Sequence, residues 1–387
     1  MIKYFFYLTF ILINNIIMNK LNNITYENFI EEYNKKCPNY TYKPAIMPKV
    51  KRIISFGDIH GDYKLAIKLL KIAKLIKIVN GKVVWTGGNT YVVQVGDQID
   101  KCRPYNDLHT CDKKDTTFND EQSDIKILQL YTDLDFQARK VGGAVISLLG
   151  NHEIMNSLGN LSYVSYQGIK QFENYKVGNK IIRSGKKARK YAFAPGNEIG
   201  TFLGCSRYPA VIIGSNLFVH AGIVNGLIKE LGMNKISDLN KINMAVRLWL
   251  LGSLKQNYIK EIISASDTSM FWTRFLGKIP PNVPLNDNRC LHHVSDVIKL
   301  FNIGSMIIGH TPQSFQYSDD INGTCGESIW RVDNGSSEAF SHFDDEFIKS
   351  HIAQHSRRPQ VLEILNDREF NICSMDENEE ITCKKGN

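Results

Sequence analysis

The chain of 387 residues predicts an α/β fold, on three observations. Short β-branched or apolar runs recur along it, each stopping at a glycine-polar cluster. Segments with apolar residues at three-to-four spacing lie between them. Strands alternating with helices in this way imply a sheet fed by strand–helix–strand crossovers. The composition, 43% hydrophobic, 10% aromatic and 22% charged, excludes a disordered or collagen-like chain. At this length one domain with insertions is as consistent as two domains.

Residues 1–18, MIKYFFYLTFILINNIIM, place Lys3 before an apolar stretch from Tyr4 to Met18, in the manner of a signal peptide or short anchor. Asn14 and Asn15 interrupt the stretch, no small-residue cleavage site follows, and it falls short of the roughly 20 residues that span a bilayer. Translation from Met18 is the alternative, so a membrane is expected as a partner only if this segment is retained as an anchor. Residues 19–50 read as an N-terminal arm, a short helix and extended chain running to Pro44 and Pro48. Residues 51–374 then form the main domain. In it Ile53–Phe56 precedes GDIHGD, Tyr91–Val95 precedes GDQID, and Ala144–Leu149 precedes GNHE. Asn216–Val219 precedes HAG, and Ser305–Ile308 precedes GHTP. Leu65, Leu69, Leu70, Ala73 and Ile76 have helical spacing, as do Ile125, Leu128, Tyr131, Leu134 and Ala138. Residues 103–123 read as a polar surface insertion and about 223–300 as a helix-rich cap. Val361–Leu365 and Phe370–Cys373 flank Asn366-Asp367 as a hairpin. Residues 375–387 read as a charged, frayed tail.

Lys and Arg total 47 against 39 acidic residues, a net charge of +8 that favours anionic substrates such as phosphates. No dense basic tract suits a nucleic acid, and none is expected as a partner. None of the eight cysteines is spaced C-x-x-C, so a thiolate-held structural zinc is not indicated. Cys102 and Cys111 can close a short loop, but scattered cysteines are equally compatible with buried free thiols. The count does not decide the compartment: cytoplasmic if residues 1–18 are no targeting segment, secretory or membrane-anchored if they are.

The glycine-polar clusters carry two carboxylates (Asp58, Asp97), three imidazoles (His60, His220, His310) and one amide (Asn151) at strand ends. In open α/β sheets that edge is where ligands bind. A mixed nitrogen and oxygen set suits Mn, Fe or Zn. Two divalent ions about 3.5–4 Å apart, sharing one bridging carboxylate, generate a bridging hydroxide and clamp a phosphoryl group for in-line attack. Any one of these dipeptides alone is an ordinary turn; five in order at strand ends are not.

The motifs GDIHG (57–61), GDQID (96–100), GNHE (150–153), HAG (220–222) and GHTP (309–312) resemble the calcineurin-like metallophosphoesterases, in their phosphoprotein phosphatase branch. GGAVISLLGNHEIMN (142–156), FWTR (271–274), IIGHTPQ (307–313) and VDNGSS (332–337) resemble the Shewanella-like phosphatases. The resemblance implies an αββα sandwich, two mixed sheets flanked by helices. It implies that Asp58 and His60 bind one metal, Asp97 bridges both, and Asn151, His220 and His310 bind the second. It assigns His152 as the general acid, held by Asp100, and Arg274 as a phosphate-binding residue. The family's Arg after the Asp at position 100 is replaced by Lys101, with Arg103 two residues on. A lysine cannot reproduce the bidentate guanidinium fork, so either Lys101 or Arg103 takes the role. The expected activity is dephosphorylation of Ser/Thr or Tyr side chains in a phosphoprotein or phosphopeptide. A diadenosine polyphosphate hydrolase of the same superfamily is the alternative, and an inactive binding module a more distant one. Aromatic residues within 163–175 and 271–275 are either core or the lining of a slot for the phosphorylated side chain.

Overall fold

The computed structural model describes residues 21, 23–104, 109–344 and 357–386, so the apolar leader read at residues 1–18 lies outside the described residues. Strands of the two large sheets are, in chain order, β1 (Ile46–Met47), β2 (Arg52–Phe56), β3 (Tyr91–Gln94), β4 (Ala144–Leu148), β5 (Arg207–Tyr208), β6 (Ala210–Ile213) and β7 (Asn216–Val219). β8 (Ser305–Ile308), β9 (Asn322–Thr324), β10 (Ile329–Arg331), β11 (Gln360–Leu365), β12 (Glu369–Met375) and β13 (Ile381–Lys385) complete them. One sheet has the order β13-β12-β11-β2-β3-β4-β5, with β2 to β5 parallel and β11 to β13 antiparallel. The other runs β1-β6-β7-β8-β10-β9, with β7, β8 and β10 parallel.

The strand residues explain the layering. Successive side chains of a strand point to opposite faces. Ile53 and Val93 accordingly join Phe218, Ile307 and Trp330 between the two sheets, while Ile54 and Val92 pack outward. The outward set meets α2 (Tyr63–Ile72) and α3 (Asp124–Arg139) through Leu69, Leu70, Tyr131 and Leu134. The second sheet's outer face is covered by α4 (Asn151–Ser157), α5 (Gly185–Phe193), α6 (Glu198–Ser206), α7 (Asn225–Leu231), α8 (Asp238–Leu250) and α9 (Asn288–Phe301), in one continuous apolar cluster. The fold is therefore the expected α/β sandwich of two mixed sheets between helical layers.

The arm contains the first helix, α1 (Tyr26–Lys36), begun where the Thr25 hydroxyl accepts the Asn28 amide proton at 3.2 Å. Its buried Phe29 and Tyr33 pack with Tyr42 around the Arg247 guanidinium. All eight cysteines pair, as Cys37–Cys205, Cys102–Cys111, Cys290–Cys325 and Cys373–Cys383. The charged C-terminal segment is not frayed as its composition suggests. Residues 381–385 pair antiparallel with β12, with Cys383 opposite Cys373, so a cross-strand disulfide holds a strand that charge alone would leave free. Among the described residues no helix is long and apolar enough to cross a membrane.

Candidate metal centre and catalytic pocket

Five turns converge from the carboxyl ends of β2, β3, β4, β7 and β8, and the backbone welds them together. Ile59 and His60 amides both donate to Asp97 O at 2.9 Å, and the Gly309 amide donates to His220 O at 2.7 Å. The Glu153 carboxylate accepts from the amides of Gly150 (2.7 Å), Asp97 (3.0 Å) and Gln98 (2.9 Å), and burial pushes its pKa up to about 7. His60, Asp97, Asp100 and His310 all take positive φ, between 48° and 72°, a conformation costly for side-chain-bearing residues. A Cβ on Gly150 would collide with the Asp97 carboxylate, and one on Gly309 with that of Asp58. Those two glycines leave the space the acids occupy.

Asp97 stands at the centre. Its Oδ2 lies 3.4 Å from His220 Nε2, 3.8 Å from His152 Nε2 and 3.9 Å from His60 Nε2. His60, Asp97 and His152 form one group with ligand atoms within 4.8 Å of one another, and Asp97, His220 and His310 form a second. Asn151 Oδ1 is 2.9 Å from His220 Nε2, and Asp58 Oδ2 is 3.5 Å from His60 Nε2. All six side chains read as metal-binding are thus brought together, every one of them buried.

The rings are oriented from behind. His220 Nδ1 is 2.9 Å from Val95 O and His310 Nε2 is 3.1 Å from Trp272 O. Protons donated to these carbonyls leave His220 Nε2 and His310 Nδ1 as lone pairs facing inward, as metal-binding imidazoles require. His60 Nδ1 is buried without a partner. Burial pushes Asp58 well above the usual carboxylate range, reinforced by Asp333 and Asp97, and pulls His60 and His310 well below the usual imidazole value. Asp97, despite its burial, is held well below the usual range by His220, His152 and His60. Buried acids crowded against imidazoles with inward lone pairs are the donor set of a divalent cation. The residues present fit such an ion.

His152 Nδ1 is 3.0 Å from Asp100 Oδ2, so its Nε2 is turned to Asp97 and the cavity above. That cavity, about 970 Å³, has His60, Asp97, Asn151, His152 and His310 in its floor and Arg103 and Arg274 in its walls. The Arg103 guanidinium lies over the Tyr163 and Phe340 rings, at 5.6 and 4.8 Å, while Nη1 donates to Asp100 O (3.0 Å) and Cys102 O (2.7 Å). Arg274 Nη1 donates to His310 O at 2.8 Å. Lys101 does not reach the cavity. Its buried ammonium turns away, donating to Asn119 O at 2.9 Å and pairing with Glu338 at 3.1 Å.

Of the aromatic segments singled out, Tyr163 and Trp272 line the cavity, whereas Phe172 and Phe271 are core. Phe315, Phe340 and Phe343 also line it and were not anticipated. Asn156, one turn beyond His152 on α4, donates to Asp100 Oδ2 at 2.8 Å. The spacing of four residues was the available signal for it. Arg189 also contacts Asp100, from a different helix, and nothing in the sequence pointed to it.

Residues 51–314 match the family model of the calcineurin-like phosphoesterases. An uncharacterized protein of Acanthamoeba polyphaga mimivirus is 37% identical over 254 residues, 62% of this chain and 96% of that protein. Shewanella-like protein phosphatase 2 of Arabidopsis thaliana is 28% identical over 82% of this chain and 76% of its own length. Among solved structures, a cold-active protein-tyrosine phosphatase of a psychrophilic Shewanella species superimposes with a TM-score of 0.61 at 20% identity. The match covers 90% of this chain and 83% of that one, a likeness of fold.

Proposed function

The chain belongs to the calcineurin-like phosphoesterases, metal-dependent hydrolases of phosphoric esters, and from that premise we propose that it is a dinuclear phosphatase acting on phosphorylated protein side chains. The observation that carries the reading is the sharing of Asp97 by two donor groups beneath a cavity walled by two guanidinium groups. In it Asp58 and His60 would hold one ion, Asn151, His220 and His310 the other, with Asp97 common to both. The nitrogen and oxygen donors accept Mn, Fe or Zn. Bound divalent ions supply Lewis acidity, which activates water and offsets the charge of the phosphoryl group.

The remaining steps belong to side chains. Arg103 and Arg274 bind the phosphoryl oxygens, Arg103 held in place by its two carbonyl acceptors and flanking rings. His152 donates its Nε2 proton to the departing side-chain oxygen as the phosphorus–oxygen bond breaks, and Asp100 keeps Nδ1 engaged throughout. Tyr163, Trp272 and Phe340 surround the side chain that carries the phosphate and exclude bulk water. A protein substrate agrees with the names of the Shewanella-like phosphatase relatives from Arabidopsis thaliana and Plasmodium berghei.

The test is a side-by-side assay of metal-reconstituted protein on phosphoserine, phosphothreonine and phosphotyrosine peptides and on diadenosine polyphosphates. Phosphopeptides should be preferred in kcat/KM by about tenfold or more, roughly 1.4 kcal/mol in the transition state. Equal or faster cleavage of the dinucleotides would replace this reading with a nucleotide hydrolase.

A further inference from the structure

We propose that Arg189 is a positioning residue for catalysis, fixing the Asp100 carboxylate and through it the ring of His152. The inference rests on the reading of His152 as proton donor. Arg189 lies on α5, in the segment between β4 and β5, and its guanidinium is fully buried between the Phe172 and Phe193 rings, at 5.4 and 4.9 Å. Each of its nitrogens has an acceptor. Nε donates to Asn156 Oδ1 at 2.8 Å and Nη1 to Gly168 O at 3.0 Å. Nη2 bridges Asp100 Oδ1 at 3.0 Å and Asp124 Oδ2 at 2.8 Å.

The consequence for Asp100 is geometric. One of its oxygens is held by Arg189, the other by His152 Nδ1 and Asn156 Nδ2 at 3.0 and 2.8 Å. Asp124 Oδ1 accepts the Asp100 amide at 3.3 Å, so its backbone is tied to the same cluster. A carboxylate free on one side can rotate about χ2; one gripped at both oxygens cannot, and only then does Oδ2 stay directed at His152. Asn156 is itself oriented by Arg189, so the guanidinium acts on Asp100 directly and through the amide. For packing alone a methionine would fill this aromatic slot without the cost of burying a charge. The fork of donors is what the slot's polar neighbours require.

The experiment compares kcat on a phosphoserine peptide, whose leaving oxygen needs a proton, with kcat on p-nitrophenyl phosphate, whose leaving group does not. Arg189→Met should lower the first by about 10- to 100-fold, part of the worth of a general acid, and the second by less than about threefold. KM and metal content should stay unchanged. In a His152→Ala background Arg189→Met should cost less than about threefold more, because the two side chains act as one unit. Arg189→Lys keeps the charge but not the fork and should give an intermediate loss on the phosphopeptide only. If Arg189→Met does not fold, Arg189→Lys carries the test alone, and its unaltered turnover on both substrates would overturn the proposal. Equal losses on the two substrates, or full additivity with His152→Ala, would make Arg189 a structural residue and nothing more. Should His152→Ala itself leave the ratio between substrates unchanged, the proton-donor reading falls and this inference with it.

Discussion

The replacement of the expected arginine by Lys101 makes the phosphate grip the sharpest place to perturb. In the structure the Lys101 ammonium is spent on Asn119 O and Glu338, while Arg103 occupies the cavity wall. Charge-assisted hydrogen bonds from a guanidinium to a phosphoryl oxygen contribute about 1.5–3 kcal/mol. Arg103→Met should therefore lower kcat/KM on a phosphopeptide by about 10- to 150-fold, at about 1.4 kcal/mol per tenfold. Stability should fall too, since two hydrogen bonds to backbone carbonyls and two ring contacts are lost. Lys101→Met removes a pair whose acid, Glu338, is 30% exposed and can rehydrate. It should cost about 1 kcal/mol of stability and leave kcat/KM within about twofold. The assay is steady-state kinetics at fixed ionic strength, with the inhibition constant of inorganic phosphate as an independent reading of the same contact. A larger rise in that constant for Lys101→Met than for Arg103→Met would refute the assignment and return the role to the lysine.

Asp97→Asn should bring metal content below one ion per chain by elemental analysis, and lower turnover by about 10³-fold or more, because both donor groups lose their shared carboxylate. His152→Ala should retain its metal and lose about 10²–10⁴-fold on alkyl phosphoesters, with unaltered turnover on these removing His152 from the mechanism. Chelation should lower the thermal midpoint, since ions at 100 to 1,000 times their Kd stabilise the folded state by about 3–4 kcal/mol each; identical midpoints with and without chelator would contradict the centre. Thiol titration of the denatured, unreduced protein should find no free cysteine, and detection of two or more would break one of the four pairings.

How much of this was legible in the sequence follows from where the information is local. Each of the six side chains sits one to four residues beyond an apolar run, so strand, turn and side chain are read from one short stretch, and the fold brings the six near one another. Lys101 shows the limit: proximity to Asp100 in sequence says nothing of which way the side chain leaves a turn whose preceding residue has a φ of 72°. Arg189 was invisible because its partners Asp100 and Asp124 are 89 and 65 residues away, and a lone arginine in a basic helix has the look of surface charge. The hairpin of Ile76–Val79 with Lys82–Trp85 carries its own local signal in Asn80-Gly81, both at positive φ, the strongest short-range mark of such a turn. The helical spacing ending at Ile76 masked it. Disulfide partners up to 168 residues apart could not be deduced at all, since connectivity is a property of the folded chain.

The Cys37–Cys205 bond has a consequence for the order of assembly. It links residues 168 apart in a covalent ring that contains Asp58, His60, Asp97 and Asn151 but leaves His220 and His310 outside. By chain entropy alone, such a closure disfavours the unfolded ensemble by about 5 kcal/mol. In the unfolded but oxidised chain those four residues stay tethered within one ring, while His220 and His310 are brought to them only by folding of the second sheet. On the proposed ligand set, the ring alone lacks His220 and His310, so a complete metal centre would require β7 and β8 to dock. Under that ligand set, ion content in a refolding population would report the fraction of molecules whose second sheet has closed.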